Sequence, residues 1–175
     1  MMAAGWINPW NGVAMRGFLI FLFGAILGTA FGVANGFFAF PYVFPPPEAK
    51  ETLSAEDKAG GIIARGTFVH ANPSDPIHYG KGTVAVFGRL VHLEADFEVG
   101  PGPAFHVYLS PKATIRSSDD FPLKASLALG KLRSFKGSQR YRLPAGTDPG
   151  KYNSVVIWCR QFGVLISPAD LKTAK

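Results

Sequence analysis

The pattern of apolar and polar positions changes character twice along this chain. From Gly17 to Phe40 the run GFLIFLFGAILGTAFGVANGFFAF carries no charge, and at 1.5 Å per residue it is long enough to cross a hydrocarbon core of about 30 Å as a helix. Asn35 is its one strongly polar side chain and lies near an end, where a polar group is tolerated better than at the centre. Pro41, Pro45, Pro46 and Pro47 then end the helix and stiffen the exit, because proline lacks a helix donor and favours extended backbone. The polar stretch from Glu48 to Gly60 continues as a spacer or a short helix. From Ile62 onward, short apolar runs alternate with turn residues, as in an all-β domain. Strands are expected at Ile63–Val69, Gly82–Phe87, Val91–Leu93, Ala104–Leu109, Leu127–Leu132, Gln139–Leu143 and Ser154–Phe162. The turn signals include Asn72-Pro73, Asp75-Pro76, Lys136-Gly137 and Asp148-Pro149-Gly150. No long amphipathic helix interrupts them. The expected fold is mainly β, an antiparallel β-sandwich or barrel preceded by one N-terminal transmembrane helix.

This pattern divides the chain into a cytoplasmic segment 1–16, a membrane helix 17–40, a Pro-rich linker 41–61, a β domain 62–171 and a tail 172–175. Arg16 flanks the span on its N-terminal side, while uncharged FPYVFPPP follows it. The positive-inside rule therefore puts the N-terminus in the cytoplasm and the β domain outside, in the periplasm if the source is Gram-negative. Trp6, Trp10 and Tyr42 fit the two interfaces. A cleaved signal peptide competes with this reading, since Ala34-Asn35-Gly36 offers small residues at a cleavage position, but the apolar run exceeds the usual signal length of roughly 7–15 residues. Gly24, Gly28, Gly32 and Gly36 share a stripe on which a second helix could pack, although glycine is common in membrane helices anyway.

From Glu48 the chain carries 17 basic and 12 acidic residues, a net charge of +5. The cations are scattered from Lys50 to Lys175 without a dense run, which reads as solvated surface, and no RNA- or DNA-binding pattern accompanies them. Nucleic acid is not an expected partner; the bilayer and an unidentified surface partner are. The only cysteine is Cys159, so no disulfide can form within the chain and the fold must stand on its core.

No hydrolase elbow, phosphate loop, HExxH, CxxC or CxxCH appears, so a conventional enzyme is not expected and no metal site is assigned. His92 and His106 read as strand or rim side chains. His70 and His78 lie in a Pro/Asn/Gly-rich loop, a setting where binding groups concentrate and where plain loop exposure is the simpler account. Cys159 lies in the apolar run SVVIWCRQFGVLIS. Alternation puts Val155, Ile157, Cys159 and Gln161 on one face, and Val156, Trp158, Arg160 and Phe162 on the other. On pattern alone, Cys159 is a small buried thiol beside a packed aromatic.

Several separated blocks occur in a characteristic order: Gly66-Thr67-Phe68 with His70, Leu93-Glu94-Ala95-Asp96-Phe97, Gly102-Pro103, and Val107-Tyr108-Leu109. Leu129-Gly130-Lys131-Leu132, Lys136-Gly137-Ser138-Gln139-Arg140-Tyr141, Leu143-Pro144 and Tyr152 follow, then Val155-Val156-Ile157-Trp158-Cys159, Phe162 and Ala169. From about Gly61 to Leu171 the chain resembles the DM13 domain family, found on membrane anchors and beside haem-binding domains. The resemblance implies a role in electron transfer for the cysteine matching Cys159, as a free thiol or through a bound group such as haem. Ala104 departs from the family's frequent Asp after Gly-Pro. Arg160, the nearest cation in sequence, points away from the thiol in an ideal strand, which weakens the case for local activation.

Two readings therefore stand. In one, a membrane-anchored extracytoplasmic domain takes part in electron transfer through Cys159, with Trp158 and His70 as further candidate redox or ligand-binding residues and an unidentified prosthetic group as its cofactor. In the other, a binding or structural module at the cell surface carries Cys159 as an inert core residue.

Overall fold

The computed structural model describes residues 10–174, so Trp6 lies outside the described residues. The chain divides into two units, one ending at Ala39 and one beginning at Phe40. Helix α1 (Trp10–Val43) covers the whole uncharged run, and its large apolar side chains from Val13 to Val43 are exposed. The Asn35 side-chain amide donates to the Phe31 carbonyl at 2.8 Å, satisfying that polar group within the helix itself. The helix continues through Pro41, where it was expected to stop, and ends at Val43. In the last turn proline removes one hydrogen bond with little helix left to break.

The second unit is built on one nine-stranded sheet, curled into a half-barrel. In chain order the strands are β1 (Ala49–Lys50), β2 (Ile62–Phe68), β3 (Gly80–Lys81), β4 (Thr83–Phe87), β5 (Leu90–Leu93), β6 (Glu98–Val99), β7 (Phe105–Ser110), β8 (Leu127–Lys131), β9 (Gly137–Arg142), β10 (Ser154–Cys159) and β11 (Val164–Thr173). The order in the sheet is β1-β9-β5-β4-β2-β11-β10-β7-β8, with β3 and β6 forming a separate pair. Neighbours are antiparallel except for β1, which lies parallel to β9.

The curl lets the inner face pack on itself. Val84, Val86, Val91, Leu93, Val107, Leu109, Val155, Ile157 and Ile166 form one cluster with Phe97, Phe105 and Cys159. The outer face is covered in two places. Leu53 and Ile62 pack on Ala85, Phe87 and Leu90, while Ile115 and Phe121 pack on Tyr108, Val156, Trp158 and Leu165. This double coverage explains why all six residues of β10 are buried, even though the period-2 pattern alone asks for only one buried face.

Two local features were not foreseen. The run expected to be a single strand to Phe162 stops at Cys159, turns through residues 160–163 and returns as β11. Gly163 takes the left-handed conformation that the turn needs, with φ 62°, and its N–H donates to the Cys159 carbonyl at 2.9 Å. Gln161 and Phe162 therefore belong to an exposed turn and do not extend the alternation. β11, for which no strand was expected, runs through Pro168, whose carbonyl accepts from Val69 N–H at 3.0 Å.

The stretch after Glu48 forms both β1 and a short helix, α2 (Ala55–Ala59), opened by a reciprocal capping box between Ser54 and Asp57.

The Gly137-Ser138-Gln139-Arg140-Tyr141 block has structural reasons. Gln139 is fully buried; its Oε1 accepts from Arg133 N–H, Ser134 N–H and the Tyr141 hydroxyl, and its Nε2 donates to the Ser134 carbonyl. Gly137 has φ +84°, and a Cβ there would lie 2.1 Å from the Ala49 carbonyl oxygen. A side chain at 137 is therefore incompatible with the close approach of β1.

Candidate functional site

Cys159 is the last residue of β10, in register with Phe105 of β7 and Val164 of β11. It is 1 % exposed and part of the inner apolar cluster, with the exposed turn 160–163 directly after it. Trp158 faces the other way. Its ring lies 4.8 Å from Phe121, which in turn lies 5.4 Å from Tyr108, and Leu165 and Ile115 complete this outer cluster. Adjacent residues thus sit in two separate cores, as alternation requires for the strand up to Cys159.

Arg160 belongs to the Trp158 side. Its Nε donates to the Tyr108 hydroxyl at 2.5 Å and its guanidinium lies 5.5 Å from the Tyr108 ring centroid. The cation adjacent in sequence is therefore committed to a phenol on the face opposite the thiol.

The loop between β2 and β3 is organised by Asp75, which sequence reading took only as part of a turn. The His70 ring Nε2 lies 2.7 Å from the Asp75 carbonyl oxygen, and His78 Nδ1 lies 2.6 Å from Asp75 Oδ2. The other carboxylate oxygen accepts from the backbone N–H groups of Ile77 and His78. The bond from the His78 ring, followed by these backbone donors, lowers the Asp75 carboxyl to about 2. The i, i+3 spacing of Asp75 and His78 is the signal that could have found the pair. His106 Nδ1 lies 3.0 Å from the Ala104 carbonyl, and on β7 it is in register with Trp158.

His78 and Asp75 line a groove of about 540 Å³ together with Asn72, Arg116, Ser118 and the first residues of β11. Of these, Val164 is the register partner of Cys159 and Leu165 packs in the Trp158 cluster. The groove therefore reaches from the surface to the strand flanking both residues. Arg116 is bound to the Asp170 carboxylate, and Ser118 Oγ accepts from Leu165 N–H at 3.0 Å. His70 is tied to this loop through Asp75 but does not line the groove. No group of three or more metal-ligating side chains is found among the described residues.

A haem held through the Cys159 sulfur does not fit this packing. The sulfur lies within the cluster of Phe105, Val107, Ile157 and Ile166, and a macrocycle on it would require that core to open.

The family model described as electron transfer DM13 matches residues 73–171, more than half of the chain. The match includes Asp75, His78, Trp158 and Cys159 and begins after His70. No curated protein and no solved structure matches the chain.

Proposed function

The chain belongs to the DM13 family, and from that premise we propose that it is a membrane-anchored electron-transfer domain whose redox group is the thiol of Cys159. One observation carries the assignment of the residue. Cys159 is closed off from solvent, yet it ends its strand beside an exposed turn and pairs with the strand that floors the Asp75–His78 groove. A second thiol must reach the sulfur for disulfide exchange, and the packing blocks that approach. Electron exchange at a thiol removes one electron and the Sγ proton together to give a thiyl radical, so an external one-electron oxidant must sit in the groove beside the strand and accept the electron, while the proton passes to it or to water there. The proposal includes α1 as the anchor, with the N-terminus cytoplasmic and the domain on the other side of the membrane.

The decisive experiment compares the full chain with Cys159→Ser, both in phosphatidylcholine nanodiscs, by voltammetry and by thiol titration before and after unfolding. A redox wave lost in the serine variant while its melting stays cooperative supports the proposal. Identical voltammetry for the two proteins, with only a lower melting temperature for the variant, overturns it and makes Cys159 a core residue of a binding module. The anchor is tested separately by protease treatment of oriented membrane vesicles. Recovery of a soluble domain that has lost the N-terminal segment would identify a cleaved signal in place of an anchor.

A further inference from the structure

The segment from Ala49 to Gly61 crosses the outer face of the sheet and is held there largely by charge. Glu51 accepts from Arg133 Nε at 2.8 Å, Arg133 Nη2 at 3.0 Å and Arg140 N–H at 2.9 Å. Asp57 accepts from Arg140 Nη1 at 2.9 Å. The backbone adds the parallel pairing of β1 with the β9 edge, including bonds from Ala49 N–H to the Lys136 carbonyl and from Glu51 N–H to the Ser138 carbonyl. Leu53 is the apolar contact, packing on the Phe87 cluster.

Beneath this clasp, His92 of β5 lies directly opposite Arg140 of β9. His92 Nε2 and Arg140 Nε are both buried without a hydrogen-bond partner among the described residues; Arg140 Nε lies 3.7 Å from Glu51 Oε2, an ion-pair distance too long for a hydrogen bond. Unpaired buried polar atoms are costly, and two of them at one register position of neighbouring strands mark a weak point of this packing. We propose that the segment 49–61 is an acid-released strap, clasped by Glu51 and Asp57 and opened when His92 takes up a proton.

The charges around the imidazole set the direction. Burial opposes a proton on His92 most, a hydrogen bond to the Glu51 backbone on the strap and the charges of Glu94 on β5 and Glu51 favour one, and Arg140 on β9 opposes it, so His92 is held below its ordinary value of 6.5; Lys58 of the strap, a further cation, lines the same groove as His92. Arg65 on β2 neutralises Glu94 through a 2.7 Å contact, and the facing residue on β4 is the uncharged Ala85. A charged imidazole thus gains hydration when the strap lifts and loses it when the strap closes.

The closed form binds fewer protons than the open form, so closure is favoured above the free histidine value and weakened as pH falls below it. A single linked proton changes the open-to-closed ratio by at most about tenfold per pH unit within that window. Release would turn the strap into extended chain of up to about 45 Å and bare the edge of β9. This inference does not depend on the redox reading.

Hydrogen exchange of the full chain in phosphatidylcholine nanodiscs tests it, with rates corrected for intrinsic pH dependence between pH 7.5 and 5. Protection of peptides covering residues 49–58 should fall by several-fold to tenfold per unit below pH 6.5, while β10 and β11 hold. In His92→Gln the strap should keep one level of protection across the range, and in Glu51→Gln it should be weakly protected throughout. Strap protection independent of pH in the unmodified chain, or a pH dependence that survives in His92→Gln, overturns the proposal. A direct NMR titration of the His92 ring needs no variant, and a midpoint at or above 6.5 would overturn it equally.

Discussion

Trp158→Ala removes the largest ring of the outer cluster and tests whether that cluster holds β10 in place. The indole is 6 % exposed and lies in one cluster with Phe121, Leu165 and Ile115, so truncation leaves a cavity between β10 and the segment 115–121. Deleting a buried Trp in this way costs about 3–5 kcal/mol. For a cooperative unit on the order of 110 residues, an unfolding entropy of about 2.1 cal/mol/K per residue converts this to a melting-point loss of roughly 13–21 °C. Calorimetry of the full chain in detergent micelles is the assay, since the second unit's transition can be followed without relying on the removed chromophore. Phe121→Ala should cost a similar amount, and the double variant less than the sum, because the two rings share one cavity. A Trp158→Ala melting point within about 3 °C of the parent would refute the reasoning, since the ring would then not be the wedge between β10 and residues 115–121.

Gln139→Leu should destabilise the domain by about 3 kcal/mol or more, measured by urea unfolding, because it leaves the Arg133 and Ser134 N–H groups, the Tyr141 hydroxyl and the Ser134 carbonyl without their partner. Gly137→Ala should lose strap protection in hydrogen exchange and about 1–2 kcal/mol of stability, since it combines a left-handed backbone with a clash on Ala49. The Asp75 carboxyl should titrate by NMR near 2, against 3.8 for the free group. Its depressed value means that its contribution to loop order is complete above 3.8 and disappears as pH falls through about 2. A midpoint near 3.8 would show that the pairing with His78 is absent in solution.

The β pattern was legible where short apolar runs sit between turn signals, as in Thr83–Phe87 and Ser154–Cys159, even though both strands are buried on both faces. The break at residues 160–163 was hidden because Arg160 and Gln161 join two apolar runs, and a single glycine was the only turn signal. The strap was illegible for a different reason. A two-residue strand and a clasp between Glu51 and residues more than eighty positions away leave no periodic trace in sequence. At the candidate site, the opposite orientations of Cys159 and Trp158 followed from a period of two. The roles of Asp75 and Phe121 did not, because they depend on how loops fold back over the sheet.

The burial of Cys159 and its proposed redox role are compatible only if the sheet is considered from both sides. A sheet covered on one face would leave either the thiol or the indole in solvent, where an unpaired cysteine is open to oxidation and to pairing between chains. Here the inner core encloses the sulfur while the outer cluster encloses Trp158 and draws Arg160 onto Tyr108. The charge that could promote thiolate chemistry is thereby spent on the other face. On the proposed reading, Cys159 is left with chemistry that tolerates an apolar, water-excluded sulfur, a condition that favours electron exchange over nucleophilic thiol chemistry at this position.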